Sequence, residues 1–177
     1  QVGPYILHEE INRGGSGVIY RATHERRTQS CAVKVIPLNS LEDRQRFQRE
    51  CEMMARLIHP NIVRIESGGL VGSIGYLVME LVEGESLDQR LLRGPLRHTE
   101  LAHWFRPVIS ALQYAQSSQL VHRDVKPGNI LMALDGTVRL IDFGLARRLS
   151  GPEVTSMGQY FGTPHYLAPE RIGGRRT

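Results

Sequence analysis

The sequence predicts an α+β fold in two parts, a mostly β unit carrying one helix and then a mostly α unit, with a cleft between them. Three observations predict it. The chain opens with short apolar runs of β type separated by Gly-rich or polar turns. A single amphipathic helical stretch interrupts those runs. Beyond Glu83-Gly84 the apolar spacing turns helical, so the division is expected at 1–83 and 84–177.

Taken in order, Tyr5 to Glu10, Val18 to Ala22 and Cys31 to Ile36 read as strands. Ser40 to Leu57 reads as a helix. Ser40 with Asp43 resembles a capping box, and Phe47, Glu50, Met54 and Leu57 fall on one face. Ile62 to Glu66 and Ile74 to Leu81 read as two further strands. Ser86 to Leu92 is a short helix, and Thr99 to Ser117 a longer one with Leu101, Phe105, Val108 and Leu112 on its apolar side and Pro107 as a point of bending. Ile130 to Met132 and Val138 to Ile141 are short strands. From Asp142 onward the chain reads as an extended loop rich in Gly, Ser, Thr and Pro.

Composition narrows the classes. With 177 residues, 41% of them hydrophobic, the chain can bury the core of one ordinary domain. No apolar run approaches the roughly 20 residues of a membrane span, and no basic stretch followed by a short apolar one marks a signal peptide. Cys31 and Cys51 read as buried thiols in a reducing compartment. The net charge is +4, but the arginines are scattered and no aromatic residues interleave with them, so a solvated surface is expected and not a nucleic-acid site. The histidines show no metal-ligand spacing. Among the 22 basic residues only Lys34 and Lys126 are lysines. Arginine cannot replace lysine where a compact point charge is needed, so these two positions stand out.

Both lysines fall in motifs that carry chemistry. Asn12-Arg13-Gly14-Gly15-Ser16-Gly17-Val18-Ile19 lies between two strand patterns, where glycines let backbone N–H groups approach phosphate oxygens. Taken alone, a hairpin turn explains such a run about as well. Ala32-Val33-Lys34 ends an apolar strand. A buried ammonium there needs an anion, and Glu50 on the helix is the candidate. Then follow His122-Arg123-Asp124-Val125-Lys126-Pro127-Gly128-Asn129, Asp142-Phe143-Gly144 and Ala168-Pro169-Glu170.

These five motifs, in this order and spacing, resemble the protein kinase family set, over nearly the whole chain from Tyr5 to Glu170. The resemblance is to Hanks-type serine/threonine kinases, and the Arg-rich composition leans bacterial. His-Arg-Asp-x-Lys-Pro-x-Asn and the Gly162-Thr163-Pro164 segment point away from tyrosine kinases. It implies a two-lobed fold with a β-rich N-lobe, one regulatory helix and a partial, mainly helical C-lobe. It also implies ATP with Mg²⁺, Mn²⁺ being an alternative, and a protein substrate.

Residue roles follow from the same resemblance. Asn12, Arg13, Gly14, Gly15, Ser16, Gly17 and Ile19 would cover ATP, with Ala32, Met79, Glu80 and Val82 lining the adenine site. Lys34 would hold the α- and β-phosphates, with Glu50 paired to it. Asn129 and Asp142 would bind the metal. Asp124 would take the substrate hydroxyl proton and Lys126 would neutralise the γ-phosphate. Met54, His122 and Phe143 would form an apolar stack joining the lobes. Arg123 would contact a phosphate on Thr155 or Ser156, placed in trans by a second copy, and Thr163 would bond near Asp124 and Lys126.

Two departures from the family pattern stand out. Asn12 occupies the first position of Gly-x-Gly-x-x-Gly, where its tolerance of left-handed backbone would matter. The sequence stops at Thr177, where the family continues for several helices. It is therefore expected to be a fragment with exposed apolar surface and little activity alone, cytoplasmic, from a parent that a later segment could anchor to a membrane. A nucleotide-binding pseudokinase acting as a scaffold is the alternative, supported only by Asn12.

Overall fold

A computed structural model describes residues 1–14, 17–143 and Tyr166. Five antiparallel strands form the first sheet: β1 (Tyr5–Gly14), β2 (Gly17–His24), β3 (Ser30–Pro37), β4 (Ile65–Val71) and β5 (Ile74–Glu80), in the order β1-β2-β3-β5-β4. The central strand β3 has the most buried residues of the five, as a strand paired on both edges should. Helix α1 (Leu41–Ala55) packs against this sheet. Ser40 caps it, its hydroxyl accepting the Asp43 N–H at 3.0 Å. Phe47 and Met54 face inward on α1, and Leu57 follows them into the core, as the spacing predicts.

The second part holds a three-stranded sheet of β6 (Gly84–Ser86), β7 (Ile130–Ala133) and β8 (Val138–Leu140), with helices α2 (Leu87–Leu91) and α3 (His98–Ser117). The core is continuous between the two parts: Phe47, Met54, Leu77, Trp104, Ile130 and Leu140 belong to one buried cluster. Among the described residues, no helix is long and apolar enough to cross a membrane.

Three sequence readings are corrected. The strand expected from Ile62 begins only at Ile65. Ile62 and Val63 are buried, and their backbone joins β8 instead: Val63 N–H donates to Leu140 O at 3.0 Å, and Leu140 N–H to Asn61 O at 2.8 Å. On α3, Leu101 and Phe105 are 39% exposed, while Trp104, Val108, Ala111 and Ala115 are buried. The inward face is rotated by about one residue, because the bulk of Trp104 wins the core position. Pro107 does not end the helix, which runs on to Ser117. Asn12 is not in the left-handed region; it is a strand residue opposite Ile19, so its position makes no demand for glycine. Gly17 does make one, with φ +134 and no room for a Cβ beside Val35 O.

Candidate active site

A cleft of about 580 Å³ runs between the two sheets. Asn12, Arg13, Gly14, Gly17 and Ile19 roof it from β1 and β2, and Ala32, Met79, Glu80 and Val82 line its wall. Gly15 and Ser16 lie outside the described residues. Met79 is buried at the end of β5. Several further lining residues escaped the sequence reading, among them Ile11, Ser86, Asp88, Leu131 and Ile141. Leu131 carried a usable signal, since it stands two residues after Asn129 in a strand, where residues alternate between faces.

The polar end of the cleft brings together three separated segments. Lys34, 2% exposed on β3, forms an ion pair with Asp142. The sequence reading paired Lys34 with Glu50 and did not foresee Asp142. Glu50 stands half-buried on α1, and Asp142 supplies an anion for the buried ammonium. Asp142 adopts φ 60, a left-handed conformation that turns the chain as it leaves β8. Arg123 shares that conformation, with φ 66, immediately before Asp124.

The loop between α3 and β7 is held by its own hydrogen bonds. Lys126 Nζ pairs with Asp124 Oδ2 at 2.9 Å. Asn129, 5% exposed, donates through Nδ2 to Asp124 O at 2.8 Å and to Asp124 Oδ2 at 3.1 Å. Ile141 N–H donates to Asn129 O at 2.9 Å, tying this loop to the strand that delivers Asp142. His122, 2% exposed, donates from Nε2 to Ile141 O at 2.9 Å and accepts the Asp124 N–H on Nδ1 at 3.3 Å. Its ring meets Phe143 at 4.5 Å between centroids, and Phe143 and Met54 lie in the same core cluster. Burial holds its pKa below the ordinary value, and with both ring nitrogens committed to backbone groups it is a packed histidine with no nitrogen left for a substrate proton.

The donor set suits a hard divalent cation. Asp142 offers carboxylate oxygens, and with Nδ2 of Asn129 committed to Asp124, its Oδ1 is left to accept. Two oxygen donors make no closed cage. That matches Mg²⁺, which keeps several waters and binds phosphates alongside one or two protein oxygens. Among the described residues no cluster of three or more His, Cys, Asp or Glu offers a metal site. Thr155, Ser156, Thr163 and Ala168-Pro169-Glu170 lie outside the described residues.

Comparison with known proteins decides the family. The family described as "Protein kinase domain" matches residues 5–177. The chain belongs to it. This kinase-domain sequence is 39% identical over 172 residues to the serine/threonine-protein kinase PknL of Mycobacterium tuberculosis, covering 95% of the chain and 43% of that protein. It is 39% identical over 175 residues to the probable serine/threonine-protein kinase PknB of Lactococcus lactis, covering 96% of the chain and 28% of that protein. The chain thus spans less than half the length of these relatives. The crystal structure of the Mycobacterium tuberculosis PknI kinase domain superposes with a TM-score of 0.79 at 30% identity, over 100% of the chain and 68% of that domain. The protein-kinase-like fold read from the motifs is the fold observed, with its five-stranded N-lobe sheet and partial C-lobe.

Proposed function

We propose that this chain is the catalytic part of a serine/threonine protein kinase that transfers the γ-phosphoryl group of Mg-ATP to protein hydroxyls. The observation that carries this is the convergence of Lys34, Asp124, Lys126, Asn129 and Asp142 at one end of the cleft. Phosphoryl transfer needs positioning and charge neutralisation more than covalent chemistry, and this set supplies both.

Ala32, Met79, Leu131 and Ile141 give the apolar surfaces that a purine ring would fill, beside the backbone of Glu80 and Val82. Lys34 carries the positive charge for the α- and β-phosphates. Asn129 and Asp142 would hold the divalent metal, which when bound neutralises phosphate charge. The substrate hydroxyl oxygen bonds to the γ-phosphorus as the bond from phosphorus to the β,γ-bridging oxygen breaks. The hydroxyl proton passes to the Asp124 carboxylate, and ADP leaves. Asn129 and Lys126 both hold that carboxylate, which fixes where the hydroxyl sits. Lys126 also faces the charge on the group in flight.

Activity is switched by phosphorylation of Thr155 or Ser156, placed in trans by a second copy in a transient homodimer and read by Arg123 beside Asp124. The catalytic region works in the cytoplasm. Incubating the full-length protein with Mg²⁺ and γ-labelled ATP tests the activity, with Asp124→Asn as control. Label on serine or threonine that the control lacks supports it. Mg-ATP binding without label in either protein supports a pseudokinase instead.

A further inference from the structure

Three elements meet on one carboxylate oxygen behind the cleft. Glu80 ends β5, and its Oε1 accepts the Arg64 backbone N–H at 2.9 Å and Arg139 Nη1 at 3.1 Å. The Glu80 N–H returns to Arg64 O at 3.0 Å. Arg64 follows the stretch already bonded to β8, where Asn61 Nδ2 also reaches Val138 O at 2.8 Å. Arg139 lies on β8, three residues before Asp142. The wall of the adenine-sized pocket and the strand that delivers Asp142 are therefore one hydrogen-bonded unit.

The pair is not an ordinary surface bridge. The side chains of Arg139 and Glu80 are 23% and 30% exposed, so water screens them less than a pair in bulk solvent. Arg139 Nε is buried and finds no acceptor among the described residues. Leaving a donor unsatisfied costs stability, and an uncharged side chain at this position would avoid that cost. A role in positioning accounts for keeping the guanidinium.

We infer that Arg139 is a positioning residue which, through Glu80, fixes the separation between the nucleotide-base end of the cleft and Asp142 at the metal end. The inference rests on the proposed kinase reading, because it needs a nucleotide that spans both ends. A ligand reaching only the base end should ignore the clamp. A ligand engaging both ends should depend on it.

Isothermal titration of the full-length protein with Mg-ATP and with adenosine tests this in wild type, Arg139→Gln and Arg139→Lys. The expected result is roughly tenfold weaker Mg-ATP binding in Arg139→Gln, equivalent to about 1.4 kcal/mol. Adenosine affinity should stay nearly unchanged, and Arg139→Lys, which keeps a charge for Glu80, should recover most of the loss. Equal losses for both ligands would reduce the pair to a stabilising bridge and overturn the inference, as would unchanged Mg-ATP binding. If Arg139→Gln does not fold, Arg139→Met, which keeps the length of the side chain and drops the charge, is read by the same criteria. Wild type that binds Mg-ATP but transfers no phosphate sinks only the kinase reading. Wild type that binds no Mg-ATP sinks both.

Discussion

Lys34 and Asp142, 108 residues apart in the chain, meet as an ion pair at the polar end of the cleft. One comes from the centre of the five-stranded sheet and the other from the exit of β8, so this pair ties the two parts of the fold at the point where phosphate would sit. Lys34→Met should lower phosphoryl transfer by at least about 100-fold, the scale for removing one preorganised electrostatic group. Lys34→Arg should not restore it, because a planar guanidinium cannot occupy a pocket shaped for a compact ammonium. Steady-state rates with a protein or peptide acceptor check both, and full activity in Lys34→Met would remove Lys34 from the mechanism.

Asn129 has a structural duty separable from any metal. Its Nδ2 bridges the backbone and side chain of Asp124. Asn129→Ala should cost about 1–3 kcal/mol of stability by stranding those acceptors in a largely buried site. Asn129→Asp keeps an oxygen for a metal but no N–H for Asp124, and it sets a second carboxylate beside the first. Chemical denaturation should therefore find both variants destabilised. A stability equal to wild type in Asn129→Ala would show that the bridge contributes nothing.

The pH dependence of stability follows from His122. Burial lowers its pKa from the ordinary 6.5, so the unfolded chain binds this proton more readily than the folded one. Its contribution is fully present above about pH 6.5 and is lost as pH falls toward the folded pKa. Protonation at Nδ1 would also break the bond from the Asp124 N–H. Burial lowers the pKa of His59 in the same direction. Melting temperature should therefore fall as the solution is taken below pH 6.5. His122→Gln and His59→Gln should each flatten part of that fall, and an unchanged slope in His122→Gln would contradict the assignment.

Gly84 begins β6 where the chain enters the second sheet, opposite Ala133. A Cβ there would collide with Met132 O, a backbone atom that cannot swing aside. Gly84→Ala should destabilise by about 2 kcal/mol or more, the scale of overpacking a tight site. Gly136 has nothing within 4 Å of such an atom but sits at φ +81, so Gly136→Ala carries backbone strain without a clash. Thermal unfolding of the two variants separates close approach from conformational strain.

Much of this was legible from residues alone. The continuous apolar run of β3 and the i, i+7 spacing of Phe47 and Met54 state their own burial. Several bonds of the loop from His122 to Asn129 run between residues five or fewer apart, and Ile141 is one partner outside it. The α3 face was harder, because Trp104 and Phe105 are adjacent aromatics and hydrophobicity alone does not rank them. The neighbours across the core chose Trp104.

What the sequence determined by itself was chemistry and local form: which residue types stand together, where strands alternate, and that a lone lysine in an apolar strand must find an anion. Which anion it finds was decided only in three dimensions. Glu50 and Asp142 are both carboxylates, and no local pattern ranks them. The left-handed turn at Asp142 and the docking of β8 against residues 61–64 bring Asp142 to Lys34. The same holds for Glu80 and Arg139, 59 positions apart. Periodicity records which face of an element is buried, but long-range pairing depends on how separately formed elements pack, and that information lies in no single segment of the chain.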